Sequence, residues 1–139
     1  MESRSFLKSW GAEFVAADTV RFRVWASGQE SITLRLSGKE FKMNPAGEGW
    51  FEFSATDISP GTEYHYVLAD GTALPDPASR GQKADVNGPS LVINPESYRW
   101  QNTQWQGRPW EETVFYELHV GTFTPEGTFQ AAIEKLPYL

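Results

Sequence analysis

The sequence predicts an all-β sandwich through about Ile93, and three observations lead there. Short runs of alternating apolar and polar residues recur along this stretch, the two-residue period of a half-buried strand. Turn-forming pairs separate the runs at roughly the 8–12-residue spacing of stacked antiparallel sheets. The 12 glycines and nine prolines of the chain favour frequent reversals over long helices.

The elements follow in order. Thr19–Trp25 sets Val20, Phe22 and Val24 against Arg21, Arg23 and Trp25. Ser31–Leu36 repeats the alternation with Ile32, Leu34 and Leu36 opposite Thr33 and Arg35. Phe41 and Met43 mark a shorter strand, and Trp50–Phe53 places Phe51 and Phe53 opposite Trp50 and Glu52. Glu63–Leu68 puts Tyr64, Tyr66 and Leu68 on one side. Between them, Ser27-Gly28, Ser37-Gly38, Asn44-Pro45-Ala46-Gly47, Ser59-Pro60-Gly61 and Asp70-Gly71 supply turn chemistry. Pro75-Asp76-Pro77 and Asn87-Gly88-Pro89 bracket an irregular stretch, after which Leu91-Val92-Ile93 returns to the sheet. With no cysteine in the chain, packing alone must hold this sandwich.

Composition narrows the function classes. Of 139 residues, 40% are hydrophobic and 14% aromatic, enough to build a packed core. Eighteen acidic residues against 12 basic ones give a net charge of −6, and the basic residues are scattered. A nucleic-acid partner is therefore not expected, because phosphate binding needs a concentrated basic face. The lack of cysteine excludes thiolate metal sites and cysteine nucleophiles, and His65 and His119 have no ligand-spaced partners. No metal and no cofactor are expected. Met1–Leu7 lacks the apolar stretch of a signal peptide, and no later segment reads as a membrane span, so the expected compartment is the cytoplasm.

After the sandwich the pattern changes. Trp100, Trp105 and Trp110 fall in a polar, glutamine-rich segment without a period, which reads as a connector lying on another surface. Thr113–Val120 carries the strongest strand signal of the chain. Thr124-Pro125-Glu126-Gly127 matches a type I turn. Thr128 then caps a helix whose apolar residues Phe129, Ala132, Ile133 and Leu136 share one face. One strand–helix unit cannot bury its own faces, so the end of the chain reads as a truncation inside a second domain.

These residues carry a resemblance. Arg23-Val24-Trp25-Ala26, Gly49-Trp50-Phe51, Gly61-Thr62-Glu63-Tyr64 and Pro75-Asp76-Pro77-Ala78-Ser79-Arg80 resemble, in order and spacing, the N-terminal immunoglobulin-like module of glycogen- and maltodextrin-processing enzymes. Tyr116 to Phe129 resembles the first barrel strand and following turn of malto-oligosyltrehalose trehalohydrolases in the α-amylase superfamily. Ser27 departs from the family's proline after Val-Trp-Ala. The resemblance implies an immunoglobulin-like (E-set type) β-sandwich followed by the first strand and helix of a truncated (β/α)8 barrel. It divides the chain into a module over 1–95, a connector over 96–112 and the start of the barrel over 113–139. It further implies a retaining glycosidase acting on malto-oligosyltrehalose or α-glucan, with two carboxylates about 5 Å apart across the scissile bond. No residue of this sequence matches the family's catalytic carboxylates, so the chain by itself is expected to be inactive.

Two sets of residues invite a closer reading. Glu117 and His119 share one face of the expected barrel strand, and His119, nearer the mouth, is the candidate substrate-binding residue; Glu117 reads as a structural polar residue. Trp25, Trp50, Trp100, Trp105 and Trp110 invite sugar stacking, but packing against the missing barrel is the favoured reading. Thr72 and Ala73 stand after the Asp-Gly turn, where glycogen-binding relatives carry aromatics. Asp76, a lone carboxylate among prolines, reads as part of a rigid crossover. Two other classes stay open: a free-standing maltodextrin-binding module, and self-association through the unpaired strand around Phe115–Val120.

Overall fold

The computed structural model describes residues 8–139, and the reading of Met1–Leu7 as lacking a leader lies outside them. The chain divides into two compact units, one running through Arg99 and one from Trp100 to Leu139.

The first unit is the expected sandwich of antiparallel strands. Among the described residues, one sheet has four strands in the order β1-β2-β6-β5: β1 (Gly11–Phe14), β2 (Val20–Trp25), β6 (Trp50–Ala55) and β5 (Asn44–Pro45). The other joins β4 (Lys39–Lys42), β3 (Thr33–Leu36), β7 (Glu63–Val67) and β8 (Ala73–Leu74), and β9 (Ser90–Leu91) also pairs with β7. The alternation read from the sequence sets the faces. Val20, Phe22 and Val24 are buried, while Arg21, Arg23 and Trp25 point out. Across the core Leu34, Leu36, Tyr64 and Tyr66 face them from the second sheet. Phe22 and Tyr64 meet edge to face with ring centroids 5.0 Å apart, joining the two layers.

Turn chemistry closes the hairpins. Ser37 and Gly38 between β3 and β4 both have positive φ (47° and 79°), as a two-residue type I′ loop requires. Thr62 N–H bonds to the Ser59 carbonyl across Pro60-Gly61, and Thr72 N–H bonds to Asp70 Oδ1 at the next reversal.

The structure corrects the sequence reading in three places. Met43 does not continue the Phe41 strand. The chain leaves the second sheet after Lys42, passes Met43 through the core, and enters the first sheet at Asn44–Pro45, opposite Glu52 and Phe51. The turn therefore comes later, where Trp50 N–H bonds to the Gly47 carbonyl. β1 and β8 are strands that sequence periodicity did not reveal, being four and two residues long.

The third correction falls in the second unit. Thr113–His119 has no strand assignment, and Val120–Phe123 is a short helix, α1. A strand is a property of pairing as much as of propensity, and this segment has no ladder partner among the described residues. Val114 is 91% exposed and Phe115 75%. The rest of the unit follows expectation: Gly127 N–H closes the turn onto the Thr124 carbonyl, and α2 (Phe129–Lys135) begins at Thr128, whose side chain accepts from Ala131 N–H. The apolar face of α2 forms, yet Phe129 and Ile133 remain exposed.

Candidate functional site

In the second unit His119 sits just before α1 in extended backbone, and its carbonyl accepts from the N–H and hydroxyl of Thr122. Its imidazole lies over Gly121, so close that a Cβ there would come within 2.8 Å of Cε1. Both His119 and Glu117 are exposed. No strand places them on a shared face, so the reason to single out His119 from strand register is absent here. Among the described residues no group of three metal-ligating side chains comes together.

The first unit gathers two features that the sequence reading left apart. One is Asp76, which is only 4% exposed. Its Oδ2 accepts from the Tyr64 hydroxyl at 2.7 Å and the Tyr66 hydroxyl at 3.3 Å. Its Oδ1 accepts from Ala78 N–H at 2.8 Å, and its own N–H donates to Ser90 Oγ. The carboxylate therefore ties the Pro75–Ser79 crossover to β7, and the Asp76 backbone N–H ties it to β9. Burial pushes the Asp76 carboxyl above its ordinary value, while the bonds from Ala78, Tyr64 and Tyr66 and the charge of Arg80 pull it back. Burial and the neighbouring Asp76 charge likewise push both phenols up.

The other feature is an open cleft of about 240 Å³ beside β2, lined by Trp10, Arg23, Val24, Trp25, Pro77 and Ala78 with Asp76 behind them. Strand register builds it. Trp25 pairs with Trp50 and Arg23 with Glu52 across β2 and β6, so indoles and charges alternate outward. The Arg23 guanidinium lies 4.5 Å from the Trp50 ring centroid, and Trp10 leans on the same indole at 6.3 Å. Trp25 Nε1 donates to the Glu48 carbonyl at 3.0 Å. That carbonyl is held by a close approach: a Cβ on Gly49, whose φ is +81°, would fall 2.6 Å from the Ser27 Cβ. The Trp25 and Trp50 signals were visible in the sequence. Trp10 was missed because nothing local marks it.

No protein-family model matches the chain. Comparison with solved structures is more telling: a Salmonella typhimurium protein ascribed to the alpha amylases superposes over 96% of this chain with a TM-score of 0.89 and 62% identity, and the match takes up 23% of that chain. The class follows as a likeness: the first unit is a β-sandwich similar to the part of an α-amylase-type protein that this match covers. Within that class the chain is similar to the malto-oligosyltrehalose trehalohydrolases. It is 43% identical to that of Deinococcus radiodurans over 119 residues and 41% identical to that of Rhizobium sp. over 126, covering 86% of this chain in each case. The chain spans about a fifth of the length of these curated relatives.

Proposed function

We propose that this chain is the N-terminal module of a glycoside hydrolase of the malto-oligosyltrehalose trehalohydrolase type, serving trehalose formation in the cytoplasm. The observation that carries this reading is the match to those enzymes at about 40% identity along 86% of the chain. Among the described residues no helix is long and apolar enough to cross a membrane. In the complete enzyme a retaining mechanism would use a carboxylate nucleophile and a carboxylic acid/base flanking the α-1,4 bond. Nothing in this chain matches either group, so its role is that of a scaffold on which the catalytic barrel packs.

In this reading residues 1–95 are the module, 96–112 the connector and 113–139 the opening of the barrel. Thr113–Val120 would become a strand once barrel neighbours supply ladder partners, which suits its β-rich composition and its present exposure. His119 would then lie near the mouth of the barrel and meet substrate. The test is an assay of trehalose release from malto-oligosyltrehalose. The chain alone should release none, and a protein translated from the same frame read past Leu139 should release it. Release by the 139-residue chain, or a frame that does not continue into a barrel, overturns the reading.

A second reading rests on a separate observation, the exposure of Val114, Phe115, Tyr116, Phe129 and Tyr138 in the second unit. Apolar surface of that kind supports association between copies when nothing else covers it. Sedimentation over a concentration series decides it: association should grow with concentration, and a constant monomer mass removes this reading.

A further inference from the structure

The sandwich leaves one longer strand edge open, and its residues are arranged to accept a particular partner. Among the described residues β4 pairs only with β3, at the end of its sheet. The other outermost strand of four residues, β1, is closed off: Ala12 and Glu13 are buried, and Arg80 donates to the Ala12 carbonyl at 3.5 Å. In β4 only Phe41 is half-buried, while Lys39, Glu40 and Lys42 are exposed. Hydrogen bonding fixes which groups face outward. Met43 N–H bonds to the Ile32 carbonyl, and the β3–β4 register carries that bonded pairing in steps of two to Phe41 with Leu34 and Lys39 with Leu36. The backbone N–H and carbonyl groups of Glu40 and Lys42 therefore point away from the sheet. On its outer face the Arg35 guanidinium holds Glu40 at 2.7 Å. Phe41 turns inward against Phe53, with ring centroids 5.1 Å apart, beside an open groove of about 520 Å³ also lined by Ala55 and Ile58.

Charge then selects the occupant. A second copy that adds antiparallel to this edge about a two-fold axis must bring outward-facing groups opposite one another, which leaves three registers that overlap them. One sets Glu40 against Glu40 and another sets Lys42 against Lys42, and like charges directly opposite oppose pairing. The third sets Glu40 against Lys42 of the second copy, twice over, with the two Phe41 side chains meeting at the axis. Lysines on an exposed edge discourage pairing with arbitrary strands. Here the Lys-Glu-Lys alternation of residues 39, 40 and 42 lifts that block for one complementary edge, its own. We propose that β4 is a self-recognition edge: two copies of this chain join antiparallel through Glu40 and Lys42 into one continuous sheet, with Phe41 packed on Phe41 across the axis. Each Glu40 then lies between Arg35 of its own chain and Lys42 of the other. Four residues fall short of the roughly 800 Å² that each partner of a stable dimer buries, so the dimer is a transient one. The contact involves the sandwich alone and needs neither hydrolysis nor the exposed side chains of the second unit.

The experiment is sedimentation equilibrium of the 139-residue chain up to about 1 mM, where even a millimolar dimer is substantially populated. The wild-type mass is expected to rise toward the dimer with concentration. E40K and K42E each set like charges opposite, and each should weaken the dimer at least about tenfold. The double exchange E40K/K42E restores opposite signs and should restore association. An equimolar mixture of E40K and K42E should associate although neither does so alone, an outcome that a folding defect in either variant cannot produce. Because the sequence has no cysteine, F41C offers a single thiol. At a non-hydrogen-bonded pair the two Cα atoms stand about 4.5 Å apart, within reach of a disulfide. F41C should therefore oxidise to a covalent dimer much faster than T72C, whose thiol sits on an exposed turn outside the edge. A constant monomer mass up to about 1 mM overturns the proposal. So does association that persists in E40K and K42E, a mixture of the two that stays monomeric, or F41C that oxidises no faster than T72C. Association lost only in F115S, which alters the second unit and leaves β4 intact, assigns the contact to that unit and overturns the edge. Trehalose release by an extended protein tests the enzyme reading and is silent on this edge, so the two can fail separately.

Discussion

The Tyr64 hydroxyl donates to Asp76 Oδ2 at 2.7 Å beside a core built mainly of aliphatic and aromatic side chains. This bond couples the centre of the second sheet to the crossover that walls the tryptophan cleft. A buried carboxylate survives there because its acceptors are filled: Tyr66 and Ala78 N–H complete the set.

Removing that carboxylate should be costly. Asp76→Ala strands two phenol hydroxyls and one amide in the interior, and about 3–5 kcal/mol of stability should be lost. Asp76→Asn keeps the shape and one carbonyl acceptor, so the loss should be smaller, about 1–2 kcal/mol. Urea unfolding of both variants at neutral pH checks the order. Equal stability of Asp76→Ala and wild type would contradict the network.

The same group gives stability a pH dependence of definite sign. Because burial raises the folded-state value of Asp76, the folded protein holds this proton more tightly than the unfolded chain does. Its contribution is complete below the ordinary carboxylate value, about pH 4, and declines as pH rises through the folded value. The raised phenols of Tyr64 and Tyr66 act likewise in alkali: their contribution is present below about pH 10 and is lost above it. Urea midpoints across pH should fall in both windows; Asp76→Asn should flatten the acidic one and, because the Asp76 charge helps raise both phenols, also weaken the alkaline one, where burial still acts.

The turn that holds Trp25 depends on a single missing side chain. Gly49→Ala combines a positive φ with overlap on Ser27, and about 2–4 kcal/mol should be lost. Gly47→Ala has a similar φ of +79° but open space around it, so only about 1–2 kcal/mol is expected. Thermal melts of the pair separate backbone strain from collision. The Trp25 indole N–H resonance should shift in Gly49→Ala and hold in Gly47→Ala.

Phe22 has no exposed surface and meets Tyr64 across the sandwich. Phe22→Ala should cost about 3–5 kcal/mol through lost transfer energy and the cavity left behind. Phe129→Ala, on the exposed face of α2, should cost well under about 1 kcal/mol. Denaturant titrations of both compare the two units directly.

Much of the sandwich was legible because its signal is local. In β2, β6 and β7 the alternation of side chains along one strand already states which face is buried. β8 and β9 were harder, for two residues carry no period; they are strands only because β7 offers them partners. Thr113–Val120 shows the converse, a composition made for a strand that stays unpaired for want of a neighbour.

By itself the sequence determined the two-layer class, the order of the long strands and the turns that join them, since each depends on residues a few positions apart. Only tertiary structure decided that Asp76 is a filled carboxylate in the core, and that Trp10, Arg23, Trp25 and Pro77 border one cleft. Those residues are distant along the chain. They meet because β1 pairs with β2 in a fixed register and the crossover after β8 is tied to the same core. Hydrogen bonds and packing between distant segments set that geometry, and a linear pattern of side chains does not encode it.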